Sequence, residues 1–207
     1  MNSTNIKKNI FCIFGPSGSG KDSITREVLK KIPELTFMIP ITTRPKRANE
    51  EYGKNYFFIT REKMEMMIDN NQFLEHRKYD VLVDGKPDVW YYATEIPNSV
   101  NSVIIGTPDV VKSLEKFAKD NDNYNIYPIY ISVDEKELLL RMIKREDLNE
   151  NHNWEEVIRR FYADKKDFEG IGTINNSCKV SFIVENSDGL FDKSVSLIVE
   201  FIKSKIF

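Results

Sequence analysis

The sequence predicts an α/β protein, a parallel β-sheet flanked by helices, on three observations. Four short apolar runs recur along the chain, helical stretches separate them, and the first run feeds a glycine-rich loop. The runs are Ile10 to Phe14 (IFCIF), Ser102 to Thr107 (SVIIGT), Ile126 to Ser132 (IYPIYIS) and Ser181 to Asn186 (SFIVEN). Such runs, lacking polar alternation, suit strands buried on both faces, and the helices between them supply the crossovers of a parallel sheet.

The elements follow in order. After IFCIF comes GPSGSGKDS, Gly15 to Ser23, and then a helical stretch, KDSITREVLKKI. Between Lys31 and Pro97 the texture changes to short aromatic strands such as YFFI, and in VLVDGKPDVWYY the Asp84-Gly85 pair predicts a hairpin turn. This stretch reads as a substrate-binding insertion. Over Glu135 to Glu146, Leu138, Leu139, Met142 and Ile143 mark the buried face of a helix, while Arg141 and Arg145 share another face. A second such helix runs from Asn153 to Phe168, with Trp154, Val157, Ile158, Phe161 and Phe168 on its apolar side and Arg159 and Arg160 beside it. The polar run DLNENHN between them predicts a mobile tip. Phe191, Val195, Ile198 and Ile202 mark a C-terminal helix packed on the core.

With 207 residues and no repeat or low-complexity linker, the chain reads as one folding unit. Its 30 basic and 32 acidic residues leave a net charge of −2, which removes the global basic field expected of a nucleic-acid binder. Cys12 and Cys178 have neither metal-ligand spacing nor a disulfide pattern and read as structural thiols of a reducing cytoplasm. The N-terminal apolar run is about five residues, too short for a signal peptide or membrane helix.

Gly15, Gly20 and Lys21 meet the G-x-x-x-x-G-K-[ST] phosphate-loop pattern, but Asp22 stands where a serine or threonine is usual. A strand before the loop and a helix after it are the context in which successive N–H groups cradle phosphates and Lys21 reaches the outer ones. Three readings of Asp22 stand. Its carboxylate holds Mg²⁺ directly or through water, its charge weakens the site, or Ser23 takes over the hydroxyl's place. The third is disfavoured because one helical position turns a side chain by about 100°.

With this loop in place, the chain resembles the guanylate kinase family. The resemblance rests on GPSGSGK, on TTRPKRANEEYGKNYFF from Thr42 to Phe58, on FLEH around Glu75, on YYAT at Tyr91 to Thr94, and on Arg141, Arg145 and Arg160. It covers nearly the whole chain. It implies a P-loop NTPase-type fold with a core over residues 1–34, 96–146 and 154–207, a nucleoside-monophosphate-binding insertion over about 35–95, and a helical lid over about 144–155. The implied activity is ATP- and Mg²⁺-dependent phosphoryl transfer to GMP or dGMP, by a monomer or homodimer that needs neither nucleic acid nor membrane.

By that resemblance, ATP is bound by Gly15, Pro16, Ser17, Gly18, Ser19, Gly20, Lys21, Asp22 and Ser23, with Arg145 and Asn186 near the adenine. Arg44, Arg47, Tyr56 and Tyr92 grip the acceptor phosphate, a chemistry that guanidinium forks and neutral phenols suit. Glu75 and Thr94 read the base, and Thr107 falls where the family places a base-contacting aspartate. Lys21, Arg44, Arg141, Arg145 and Arg160 neutralise the transferring group. Pro40 stands in place of a family serine, and Ala93 in place of a glycine. The loop also resembles that of ribose bisphosphate phosphokinases, which lack the TTRPKR stretch. Two alternatives accompany the main reading: a kinase of the same build for another nucleoside monophosphate or ribose bisphosphate, and a non-catalytic binding module.

Overall fold

The computed structural model describes residues 7–47, 50–83, 86–148, 152–172 and 178–207. The first half of the chain contains β1 (Lys8–Phe14), α1 (Lys21–Lys31), β2 (Thr36–Phe37), β3 (Ile41–Thr42), β4 (Phe57–Phe58), α2 (Arg61–Asp69), β5 (Phe73–Val83) and β6 (Lys86–Glu95). The second contains β7 (Asn101–Gly106), α3 (Pro108–Asp120), β8 (Tyr124–Ser132), α4 (Glu135–Glu146), α5 (Trp154–Asp167), β9 (Phe182–Glu185) and α6 (Phe191–Ile206).

A five-stranded sheet in the order β2-β7-β1-β8-β9, parallel throughout, forms the core. All four apolar runs predicted as strands lie in it. Alternation along β1 explains why IFCIF is apolar at every position. Phe11 and Ile13 face a core shared with Ile24 and Val28 of α1 and Val195, Ile198 and Ile202 of α6. Ile10, Cys12 and Phe14 face the opposite layer, against Val110, Val111 and Leu114 of α3. Burial pushes the Cys12 thiol up and raises Cys178 to about 11, which suits packing thiols. Pro128 is tolerated inside β8 because it sits beside the start of β9. Its carbonyl accepts from the Ser181 N–H at 2.8 Å, and its missing donor faces the same side, before the first residue of β9.

A second, four-stranded sheet in the order β4-β3-β6-β5 carries the insertion, covered by Met64 and Met67 of α2 over Ile41 and Ala93. Two expectations change here. Thr36 and Phe37, assigned to the insertion, belong to the core sheet, where they pair with Ser102 and Val103 of β7. The hairpin arm is longer than its aromatic half suggested, pairing from Phe73↔Glu95 to Val83↔Lys86. Its expected turn residues, Asp84 and Gly85, lie outside the described residues.

The two later helices are capped as polar residues at their starts predict. The Asp134 carboxylate accepts from the Lys136 and Glu137 N–H groups, and Asn153 accepts from that of Glu156. The apolar side of α5 is a further correction. Val157 is buried and Phe161 and Phe168 are half-buried, but Trp154 and Ile158 are 41% and 53% exposed. Only a narrow stripe of α5 is covered: Glu156, Arg159 and Arg160 line the cleft, and the face with Trp154 and Ile158 is left exposed. Part of the expected lid tip, residues 149–151, lies outside the described residues.

Candidate active site

The glycine-rich loop joins β1 to α1 in a conformation that its glycines permit. Gly18 and Gly20 have φ of 84° and 86°, the left-handed region that L side chains rarely adopt. A Cβ on Gly15 would lie 2.8 Å from the Ile131 carbonyl oxygen, so that turn has no room for a side chain. Gly20 is also the N-cap of α1 and offers no side-chain acceptor, leaving the first-turn N–H groups of the helix open to an anion. Lys21 folds back so that Nζ donates to the Pro16 carbonyl at 3.2 Å, and burial lowers its pKa while Asp22 and Asp164 oppose that shift. Asp22 and Ser23 are both exposed at the helix start, and Asp22 has no hydrogen-bond partner among the described residues.

Asn186, expected near the adenine, packs beneath the phosphate loop. It is 3% exposed, and its Nδ2 donates to the Ser19 carbonyl at 2.8 Å, bracing the loop from beneath. Arg141 completes that brace, donating to the Gly18 carbonyl at 3.3 Å and the Asn186 carbonyl at 2.8 Å, while Glu137 accepts at 2.5 Å.

Across the cleft, Arg44 is 4% exposed and held on three sides. It donates to the Tyr92 hydroxyl at 3.1 Å, the Pro45 carbonyl at 2.7 Å and Glu50 Oε1 at 2.6 Å, with its guanidinium over the Tyr56 ring at 5.5 Å. Glu50 also accepts from the Arg47 N–H at 2.8 Å, which ties both arginines to one carboxylate. Arg44 holds the Glu50 carboxyl below its usual range. Tyr56 and Tyr92 meet edge to face at 6.0 Å, and burial raises the Tyr56 pKa, keeping that phenol a neutral donor.

Deeper along the arm, Glu75 is 5% exposed. Thr94 Oγ1 donates to its Oε1 at 2.8 Å and Arg77 Nε to its Oε2 at 3.0 Å. The β5–β6 register explains the cluster: Glu75 pairs with Thr94, Arg77 with Tyr92 and Tyr79 with Trp90, so alternate residues of both strands share one face.

Two adjoining cavities lie among these groups, with Arg44 and Glu75 buried behind their walls. One, of about 710 Å³, contains Ser17, Gly18, Gly20, Ser23, Arg141 and Arg145. The other, of about 660 Å³, contains Arg77, Tyr92, Thr94, Thr107 and Pro40. Lys21, Asp22, Arg47, Tyr56 and Arg160 line both. The loop and the insertion therefore open onto each other at Lys21 and Asp22. Arg160 reaches this junction from α5, with Glu156 accepting from its Nε at 2.6 Å and also from Arg159 at 2.6 and 2.9 Å.

This arrangement, a phosphate loop facing an arginine- and tyrosine-lined pocket on an inserted sheet, agrees with comparison to known families. The family model for guanylate kinase matches residues 7–204. The chain belongs to the guanylate kinase family. It is 33% identical over 211 residues to the guanylate kinase of Wigglesworthia glossinidia brevipalpis, covering 97% of this chain and 90% of that one. With the guanylate kinase of Thermotoga maritima it shares 50% identity over 70 residues, a stretch spanning 34% of each chain. The crystal structure of guanylate kinase from Anaplasma phagocytophilum superposes with a TM-score of 0.60 at 14% identity, over 97% of this chain and 87% of that one, and shows the common fold.

Several residues of this guanylate kinase family member lie in or against the site without having been singled out. Glu50 and Arg77 bind the expected arginine and glutamate, and Glu156 binds Arg160. Asp164 of α5 accepts from the Ser17 N–H of the phosphate loop at 2.6 Å. For Arg77 a signal was present: Glu75-x-Arg77-x-Tyr79 has the period of two that puts three side chains on one strand face. For Asp164 there was none, because its partner lies 147 positions away.

Proposed function

We propose that this guanylate kinase family member transfers the terminal phosphoryl group of ATP to GMP or dGMP. The observation that carries the proposal is the shared wall of the two cavities. A triphosphate on the loop and a monophosphate held by Arg44, Arg47, Tyr56 and Tyr92 would meet where Lys21 and Arg160 stand. The acceptor phosphate is already ionised at neutral pH, so the reaction needs no general base. Its rate comes from alignment and from neutralising the transferring group.

Each residue then has a role. N–H groups of the loop from Gly15 to Ser23 hold the donor phosphates, and Lys21 reaches the outer ones. Arg145, exposed on α4 at the donor cavity, and Arg141 close over the triphosphate, with residues about 144–155 as the lid that excludes water. Glu75, Thr94 and Thr107 recognise the base. Asp22 fits a hard divalent cation, since its exposed carboxylate faces both cavities and has no hydrogen-bond partner among the described residues. Bound there, Mg²⁺ would supply charge neutralisation at the phosphate oxygens. Both half-sites belong to one chain, so a monomer or a homodimer serves equally. Nucleotide substrates and buried thiols suit a cytoplasmic setting, and no helix among the described residues is long and apolar enough to cross a membrane.

The test is ADP release from ATP and Mg²⁺ with GMP, dGMP, the other nucleoside monophosphates and ribose bisphosphate offered separately, with products weighed by mass spectrometry. Turnover with GMP and dGMP is expected. Turnover confined to another acceptor, or none at all, would overturn the proposal.

A further inference from the structure

Arg77 is the cation of the base pocket, and three observations give it a task beyond neutralising Glu75. Its Nε is bound to Glu75 Oε2 at 3.0 Å, which sets the guanidinium, on the wall of the acceptor cavity, against the buried carboxylate behind it. Its remaining bonds are long and made to neutral groups, Nη1 reaching the Tyr79 hydroxyl at 3.3 Å and Thr107 Oγ1 at 3.4 Å. Nη2 has no acceptor among the described residues. A ligand can therefore replace weak contacts without stripping Glu75 of its partner.

Among the groups lining the cavity, Tyr79, Trp90 and Thr107 offer neutral donors only, and two nearer Glu75 offer none. The Thr94 hydroxyl is committed to Glu75, and Pro40 has no side-chain donor. The pair thus sets a guanidinium, which only donates, on the cavity wall against a buried carboxylate, which only accepts. Its complement is a base edge carrying an N–H beside a carbonyl oxygen. Guanine has this H–N–C=O edge; adenine has the opposite order, an acceptor nitrogen beside an amino group.

Resting on the acceptor reading above, we propose that Arg77 is a specificity-determining residue. Its Nη edge donates to the keto oxygen of a 6-oxopurine while Glu75 accepts from the neighbouring ring N–H. Thr107 Oγ1, displaced from Arg77 by that oxygen, becomes available to an exocyclic amine.

The experiment compares kcat/KM for GMP and for 6-thio-GMP, whose ring N–H is kept but whose thiocarbonyl is a poor acceptor, in the wild type and in Arg77→Met. The wild type is expected to favour GMP by about 10- to 100-fold, the range of a hydrogen bond to a charged group. In Arg77→Met that preference should fall to within about 3-fold of unity. Were Arg77 only a prop for Glu75, both substrates would lose activity together and the preference would survive, which would overturn the proposal. If Arg77→Met does not fold, Arg77→Gln, which keeps a neutral donor, reads the same ratio and should give an intermediate preference; an unchanged one overturns the proposal. A wild type inert toward GMP would sink the acceptor reading itself, and Arg77's role with it.

Discussion

Replacing Arg44 with methionine should cost both stability and acceptor binding, and the structure sets the size of the first loss. The substitution removes donors to the Tyr92 hydroxyl, the Pro45 carbonyl and Glu50, and strands the Glu50 carboxylate, which is 11% exposed, with only the Arg47 N–H. Breaking one side of a buried ion pair costs about 3–5 kcal/mol; the slight exposure of Glu50 places the loss near the low end, about 3 kcal/mol. For a chain of this size that corresponds to a fall in Tm of roughly 6–12 °C. The assay is thermal unfolding of Arg44→Met, Glu50→Gln and the double variant, which isolates the pair's coupling. The pH dependence has a definite sign. Arg44 holds the Glu50 carboxyl below its ordinary 4.5, so its contribution is complete above that value and is lost as pH falls through the depressed folded value. A loss under about 1 kcal/mol at pH 7, or a coupling that grows on acidification, would refute the reasoning.

Other substitutions test the rest of the site. Asp22→Ala should weaken Mg²⁺ dependence and turnover by about 10- to 100-fold, while Asp22→Ser retains most activity; equal rates in all three proteins would remove Asp22 as a metal ligand. Asp164→Ala frees the Ser17 N–H and should accelerate amide exchange at Ser17 and along α5 by about 10-fold, measured by hydrogen exchange, whereas unchanged protection would show that α5 is held by other contacts. Arg159 and Arg160 hold the Glu156 carboxyl down to about 2, so its stabilising contribution is present above 4.5 and is lost as pH falls from there through about 2. An NMR titration should place the Glu156 midpoint near 2 and move it upward in Arg160→Met; a wild-type midpoint near 4.5 would contradict the ion-pair geometry.

Residues whose role is local were legible, and those whose role depends on distant neighbours were not. The four core strands could be read because burial on both faces leaves an uninterrupted apolar run, and the loop could be read because its glycines and lysine are contiguous. The start of β5 was missed because Glu75, Arg77 and Tyr79 look polar until the strand is recognised as lining a cavity rather than a core. On α5, Trp154 and Ile158 fit a helical apolar period but have no partner layer, since period alone does not say how wide a stripe is covered. Thr36 and Phe37 make too short a strand for any pattern to reveal that they join β7. The contact of Asn186 with the loop was not legible, because the gap beneath Gly20 that it fills exists only once the loop has folded.

The central claim is that one chain holds donor and acceptor in adjoining cavities that meet at Lys21. The most direct test is calorimetric titration with an adenosine–guanosine pentaphosphate in the presence of Mg²⁺, set against ATP and GMP titrated separately. The joined ligand should bind about 10²- to 10⁴-fold more tightly than the better of the two nucleotides, because the second contact becomes intramolecular. Binding no tighter than ATP alone would contradict the account, since the two half-sites would then not be reachable together.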